Sequence, residues 1–156
     1  MTDAMSDVGT RAILKQACEV AGLSAASARL LRLGSNAVYR LAAPVVARIA
    51  RPEAGTAAAR RMVAVARWLE SAAYPAVRAL PLDQPIVLDG HAVTFWEAVS
   101  EDGDQYATID QVAEVIARLH KMTAPGDLCL PARTPGQSSS AIIAAARAAA
   151  PGSMGR

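Results

Sequence analysis

Arg48 sits inside the apolar run Val45-Val46-Ala47-Arg48-Ile49-Ala50, so a permanently charged guanidinium is carried by a segment that otherwise reads as a strand. Guanidinium offers planar, paired donors and stays charged at any physiological pH, which suits it to phosphate. Strand alternation puts Val46, Arg48 and Ala50 on one face and Val45, Ala47 and Ile49 on the other. On that face Val46 can touch a flat ring while Arg48 reaches the phosphates attached to it. The competing reading is an edge strand on which the arginine stem covers apolar surface and its head stays in water. Upstream, Gly34-Ser35-Asn36 has the composition of an ordinary hairpin turn. It also suits a small loop in which Gly34 permits a tight bend and the amides and side chains of Ser35 and Asn36 donate to phosphate oxygens.

These residues need elements to hold them. Asp7 to Ala21 reads as a helix with Ile13, Ala17 and Val20 on one side, Leu14, Cys18 and Ala21 beside them, and Gly22 as its stop. Ala28 to Leu33, Ala37 to Ala42 and Val45 to Ala50 read as an antiparallel meander joined by Gly-Ser-Asn and Ala-Pro. Ala54 to Ala73 follows as a long amphipathic helix covering a sheet face, with Met62, Val65, Leu69, Ala58, Ala66 and Ala73 as its apolar stripe. Two further strands, Val77 to Leu82 and Ala92 to Ala98, flank a turn-rich stretch that contains Ile86 to Leu88 and Asp89-Gly90. Thr108-Ile-Asp-Gln111 opens a second long helix as a capping box, with Val112, Val115, Ile116, Leu119 and Met122 as its stripe. After Pro131 the composition turns to Ala, Ser, Gly, Pro and Arg, which predicts a weakly packed tail.

The chain of 156 residues is 53% hydrophobic and 19% charged, which describes a folded globular protein, while 4% aromatic content leaves alanine and aliphatic side chains to do the packing. A net charge of +2, with basic residues spread along the chain, implies no nucleic-acid partner. Cys18 and Cys129 lie far apart without metal-ligand spacing, so a reduced, cytoplasmic chain is expected. The first residues, MTDAMSD, lack the pattern of a signal peptide, and no apolar run is long enough to span a bilayer.

In order, the sequence therefore presents Gly34-Ser35-Asn36, Val38, Arg48, the helix segment "RRMVAVARWL", then "VTFWEAV" and "ARLH". Over Leu30 to Met122 this order resembles the small lobe of the aminoglycoside phosphotransferase-like family, relatives of protein kinases that move a phosphoryl group from ATP or GTP to small molecules. The resemblance implies an α+β fold with an antiparallel sheet of about five strands and flanking helices. Residues 1–122 would form the lobe, hinge and linker helix, and 123–156 a low-complexity tail or truncation remnant. It implies nucleotide contacts from Gly34, Ser35, Asn36, Val38, Val46, Arg48, Trp96 and Glu97, with the backbone after Phe95 as the hinge. ATP or GTP with magnesium would be the cofactor. Trp96 would shield the base, or Phe95 and Trp96 would simply be core aromatics. His120 matches the family's Leu-His helix ending and has a structural role; His91 is expected in a solvated turn.

The chain departs from the family in two places. Met62 occupies the helix position where the family has a glutamate that clamps the strand base, and a thioether cannot do that. Glu70, eight positions along, is too far to replace it. No His-Gly-Asp-x-x-x-x-Asn loop or later metal-binding aspartate follows Met122, so no catalytic residue and no metal ligand is assigned. Asp127 lacks the required neighbours, and the acidic loop Glu101 to Asp104 falls short of a calcium loop. The chain alone is expected to bind nucleotide weakly and to be catalytically inactive, with a separately encoded large lobe or another copy of itself as partner. The alternative is a non-catalytic interaction module that uses the apolar surface such a lobe would cover.

Overall fold

The computed structural model describes residues 6–99, 107–128 and 130. The tail from Pro131, Cys129 and the acidic loop Glu101 to Asp104 lie outside the described residues. The chain opens with helix α1, Asp7–Ala21. Ser6 caps it by accepting the Gly9 amide at 3.1 Å, and Gly22 ends it at φ 68, a left-handed conformation that glycine enters without steric cost.

Five strands follow as β1 (Arg29–Leu33), β2 (Asn36–Arg40), β3 (Val45–Ala50), β4 (Ile86–Leu88) and β5 (His91–Glu97), with helix α2 (Thr56–Ser71) between β3 and β4 and helix α3 (Ile109–His120) after β5. They form one antiparallel sheet in the order β1-β2-β3-β5-β4. The expected α+β class and five-stranded antiparallel sheet are therefore present.

Alternation divides the sheet into two faces. Ala37, Tyr39, Val45, Ala47, Ile49, Val93 and Phe95 point to one side and are buried against Ile13, Leu14, Ala17 and Cys18 of α1. Val20, expected on the same helical stripe, is 68% exposed, because it lies roughly a quarter-turn off the face that meets the sheet. Tyr39 carries the only hydroxyl among these sheet residues, and α1 satisfies it: Thr10 Oγ1 is 2.6 Å away and Asp7 Oδ1 accepts at 2.8 Å. Arg11 in turn holds the Asp7 carboxylate at 3.0 Å.

Helix α2 packs on the opposite face through small side chains. Ala59 meets Ala50 and Ala92, and Val63 and Ala66 meet Ala79 and Trp96. The buried row is thus Ala59-Val63-Ala66, which shares Ala66 with the expected stripe but replaces Ala58 and Met62 by their next neighbours, and Ala58 and Ala73 are exposed. The small row lets the helix sit close to β5. The larger row of Met62, Val65 and Leu69 is left facing the rest of the sheet, which α2 does not cover.

The stretch expected to be a strand from Val77 to Leu82 makes one isolated bridge, Ala79 to Trp96, and no ladder. Pro81 has no amide to donate. Beside β5 the stretch makes Leu80 N–H to Phe95 O at 3.0 Å, and the Gln84 side chain takes over from there, accepting the Phe95 amide at 2.7 Å and donating to Phe95 O at 3.3 Å. Regular pairing resumes with β4, folded back by Asp89 and Gly90 at φ 49 and 80. His91 is not in a solvated turn: it begins β5, half-buried, and its Nδ1 donates to Ala50 O at 2.9 Å.

The capping box of α3 forms as expected, with Gln111 N–H to Thr108 Oγ1 at 3.3 Å and Thr108 N–H to Gln111 Oε1 at 2.9 Å. Tyr74 Oη donates to Val115 O at 3.1 Å and Arg118 to Ala73 O at 2.8 Å, which ties α3 to the end of α2. Its stripe, Val112, Val115, Ile116 and Leu119, is exposed, and His120 is exposed at its end. Among the described residues no helix is long and apolar enough to cross a membrane.

Candidate functional site

Between the uncovered part of the sheet and the large row of α2 lies a cleft of about 570 Å³. Its sheet wall is Leu31, Val38, Arg40, Val46, Arg48 and Trp96, its helix wall Met62, Val65, Ala66 and Leu69, and Val77, Glu97 and Val99 close one end. The register explains the composition. Val38 stands opposite Arg48 and Arg48 opposite Thr94, while Arg40 stands opposite Val46 and Val46 opposite Trp96. Directly opposed residues share a face, so valines and arginines form a checkerboard on the cleft side.

Arg48 enters this cleft from the centre of the sheet, half-buried. Its one side-chain partner among the described residues is Met62, with Nη1 3.8 Å from Sδ. Burial lowers the guanidinium's pKa from its ordinary value, and it remains charged at neutral pH. The helix residue facing Arg48 is thus Met62, whose thioether carries no charge to pair with the guanidinium. Glu70 is engaged elsewhere, 3.8 Å from Arg78.

Of the residues predicted from the sequence, Val38, Val46, Arg48, Trp96 and Glu97 line the cleft together. Gly34 and Ser35 form the β1–β2 turn, Asn36 begins β2 opposite Ala50, and none of the three is on the cleft wall. The Gly34 amide is spent on Asn36 O at 3.1 Å, its carbonyl accepts from Arg51 at 3.1 Å, and Asn36 Nδ2 donates to Ser35 Oγ at 3.3 Å. Gly34 does not need a left-handed backbone, and a Cβ there would meet nothing closer than Arg32 Nε at 3.9 Å, so the tight bend expected of it is not what the glycine supplies.

Phe95 is fully buried in the core, whereas Trp96 turns into the cleft and donates its Nε1–H to Thr94 Oγ1 at 2.9 Å. Thr94 is buried and fixes the indole plane beside Val46. In the segment after Phe95, Glu97 N–H donates to Arg78 O at 2.9 Å and Ala98 N–H to Pro44 O at 2.8 Å, so these amides serve the fold and are not free to hold a ligand. Glu97 is the one carboxylate on the wall, and among the described residues no group of three His, Cys, Asp or Glu side chains could hold a metal ion.

The sequence reading missed Arg40. Its signal was the same alternation that places Val38 on the cleft face, since residues two apart on a strand share a side. A wider signal was also legible: between Val20 and Pro52 stand five arginines, Arg29, Arg32, Arg40, Arg48 and Arg51, and no Asp or Glu. A second cavity of about 480 Å³ lies on the other side, beside α1, lined by Leu14, Cys18, Leu23 and Ala25 with Arg11 and Lys15 at its rim. Burial pushes the Cys18 thiol up to about 11, so it acts there as a small apolar side chain, without thiolate reactivity.

Comparison of the chain with protein-family models, with curated proteins and with solved structures gives no match.

Proposed function

We propose that this chain is a nucleotide-binding lobe similar to the small lobe of aminoglycoside phosphotransferase-like enzymes, and that ATP or GTP occupies the cleft between the sheet and α2. The observation that carries this reading is the half-buried guanidinium of Arg48, which projects into an apolar cleft with a thioether as its one side-chain partner. A cation in such a place is stabilised by an anion, and the adjoining Val38, Val46 and Trp96 offer flat apolar surface for a base. The order of loop, valine strand, basic strand, helix and hinge strand adds to it.

In this reading Arg48 grips phosphate, Val38 and Val46 pack on one side of the base, and Trp96, held by Thr94, borders its edge. Without a carboxylate at position 62 the guanidinium is positioned less firmly than a clamped base would be. Ground-state binding is retained, and the positioning that accelerates phosphoryl transfer is lost. The described residues do not by themselves fit a magnesium ion, and transfer to a small hydroxyl acceptor is assigned to a complementary large lobe acting in trans.

Titration calorimetry of the chain with ATP and with GTP tests the reading. Weak, saturable binding that falls at least tenfold in Arg48→Gln supports it; no heat with either nucleotide, together with an unchanged melting temperature, removes it.

A second reading rests on α3, whose Ile109, Val112 and Ile116 are exposed. A module that associates through this stripe needs no nucleotide. Light scattering separates the two: a monomer at high concentration that still binds ATP excludes association as the function.

A further inference from the structure

The cations on the cleft side of the sheet are not scattered. Arg29 on β1 stands directly opposite Arg40 on β2, which stands opposite Val46 on β3, which stands opposite Trp96 on β5. In the next row Arg32 faces Val38, Val38 faces Arg48 and Arg48 faces Thr94; a β-bulge at Leu31 separates the two rows on β1, and Leu31, Arg40 and Arg48 line the cleft, with Arg29 and Arg32 at the edge beyond its wall. Both rows therefore run from cationic at the β1 edge to uncharged at β5. Arg29, Arg32 and Arg40 make no salt bridge and no side-chain hydrogen bond among the described residues, and Arg48 touches only Met62. Like charges directly opposed on one sheet face repel, as Arg29 and Arg40 do here, and Glu97 is the one acidic residue lining the cleft, so the arginines leave this side of the free protein with a net positive field.

We propose that the ligand of the cleft lies across the strands, with its ring over Val46 and Trp96 and its phosphates directed toward the β1 edge. Arg48 takes the first phosphate, Arg40 and Arg29 the outer ones, and the site therefore selects nucleotides by their number of phosphates. This rests on the nucleotide reading above and adds to it the orientation of the ligand and two binding residues, Arg29 and Arg40. The sheet dimensions suit it. Neighbouring strands are about 4.8 Å apart, so three strand spacings from β5 to β1 give roughly 14 Å for ring, sugar and phosphates. Helix α2 walls the apolar end with Met62, Val65 and Leu69.

Calorimetry with adenosine, AMP, ADP and ATP at fixed low salt tests the proposal in the wild-type chain, Arg29→Gln, Arg40→Gln, Arg48→Gln and, on the opposite side of the sheet, Lys15→Gln. Expected are an affinity that rises with each phosphate, at least tenfold from AMP to ATP, and a shallower rise in Arg29→Gln and Arg40→Gln. Arg48→Gln should weaken every phosphorylated ligand and leave adenosine unaltered, and Lys15→Gln should match wild type. Denaturation midpoints equal to or above wild type establish that the variants fold, since each removes a repulsive charge. Equal affinity for AMP and ATP, or a rise untouched by Arg29→Gln and Arg40→Gln, overturns the proposed orientation while leaving nucleotide binding in place. Failure of all four ligands overturns the nucleotide reading itself. A single-stranded oligonucleotide that binds more tightly than ATP and displaces it overturns the one-nucleotide site.

Discussion

The two faces of the sheet are made from alternate residues of the same strands, and they differ in nearly every physical respect. One is closed: Ala37, Tyr39, Ala47, Ile49, Val93 and Phe95 are fully buried, and their one hydroxyl is met by Thr10 and Asp7 of α1. The other is open over β1, β2 and β3, half-buried, and carries valines and unpaired arginines. A period of two residues is enough to assign stability to one side and recognition to the other. The cost of the second face, a half-buried Arg48 with only a thioether as side-chain partner, falls on a protein whose first face is a closed apolar core. The helices follow the same division. The sheet-facing side of α1 is large and apolar, whereas α2 packs through alanines and keeps Met62, Val65 and Leu69 for the cleft.

Substitutions on the two faces should therefore separate stability from binding. The largest effect is expected from Phe95→Ala, which empties the centre of the closed face and should cost about 3–5 kcal/mol in urea denaturation; a loss below about 1 kcal/mol would mean that this face is not the core. Tyr39→Phe should cost about 1–3 kcal/mol, because it keeps the ring but removes the partner of the Thr10 hydroxyl and the Asp7 carboxylate. On the open face the pattern should invert. Arg48→Gln removes the cleft cation, which should weaken ATP at least tenfold by calorimetry while changing the denaturation midpoint by no more than about 0.5 kcal/mol equivalent.

A smaller effect concerns acid. The hydrogen bond from Tyr39, then that from Arg11, holds the Asp7 carboxyl below its usual 3.8. The carboxylate form is thus favoured by folding, so its contribution is complete above about pH 5 and disappears as pH falls through the depressed value. Asp7→Asn should flatten the stability-against-pH curve below pH 4 and leave it nearly unchanged at pH 7 to 8 in slope. The smallest effect is expected at Val20, where Val20→Ser on the exposed side of α1 should stay within about 0.5 kcal/mol of wild type.

Much of the fold was legible in local chemistry. Ser6 and Gly22 bound α1, Thr108 with Gln111 starts α3, and the alternation in Val45 to Ala50 put Arg48 on the face opposite to Ile49. What failed depended on partners far along the chain. The strand expected over Val77 to Leu82 is reduced to one bridge, because Pro81 has no amide to donate and the Gln84 side chain meets the Phe95 backbone in place of a ladder. The stripe of α2 was placed on the large residues, as hydrophobic periodicity favours, but Ala50 and Ala92 on the sheet leave room only for Ala59 and its small neighbours. In the candidate site, Val46 and Arg48 followed from strand alternation, and Val38, Trp96 and Glu97 from the resemblance in motif order. Arg40 was legible from its spacing to Val38, whereas the arginine rows were not, because directly opposed residues are set by register, which a single strand pattern does not specify.

Amide chemical-shift mapping on addition of ATP tests the division of the two faces most directly. Binding in the cleft should move the resonances of Val38, Arg40, Val46, Arg48 and Met62 together with the Trp96 indole, and leave Ile13, Leu14 and Cys18 beneath α1 in place. Shifts confined to the α1 side, or a spectrum unchanged at millimolar ATP, would contradict it.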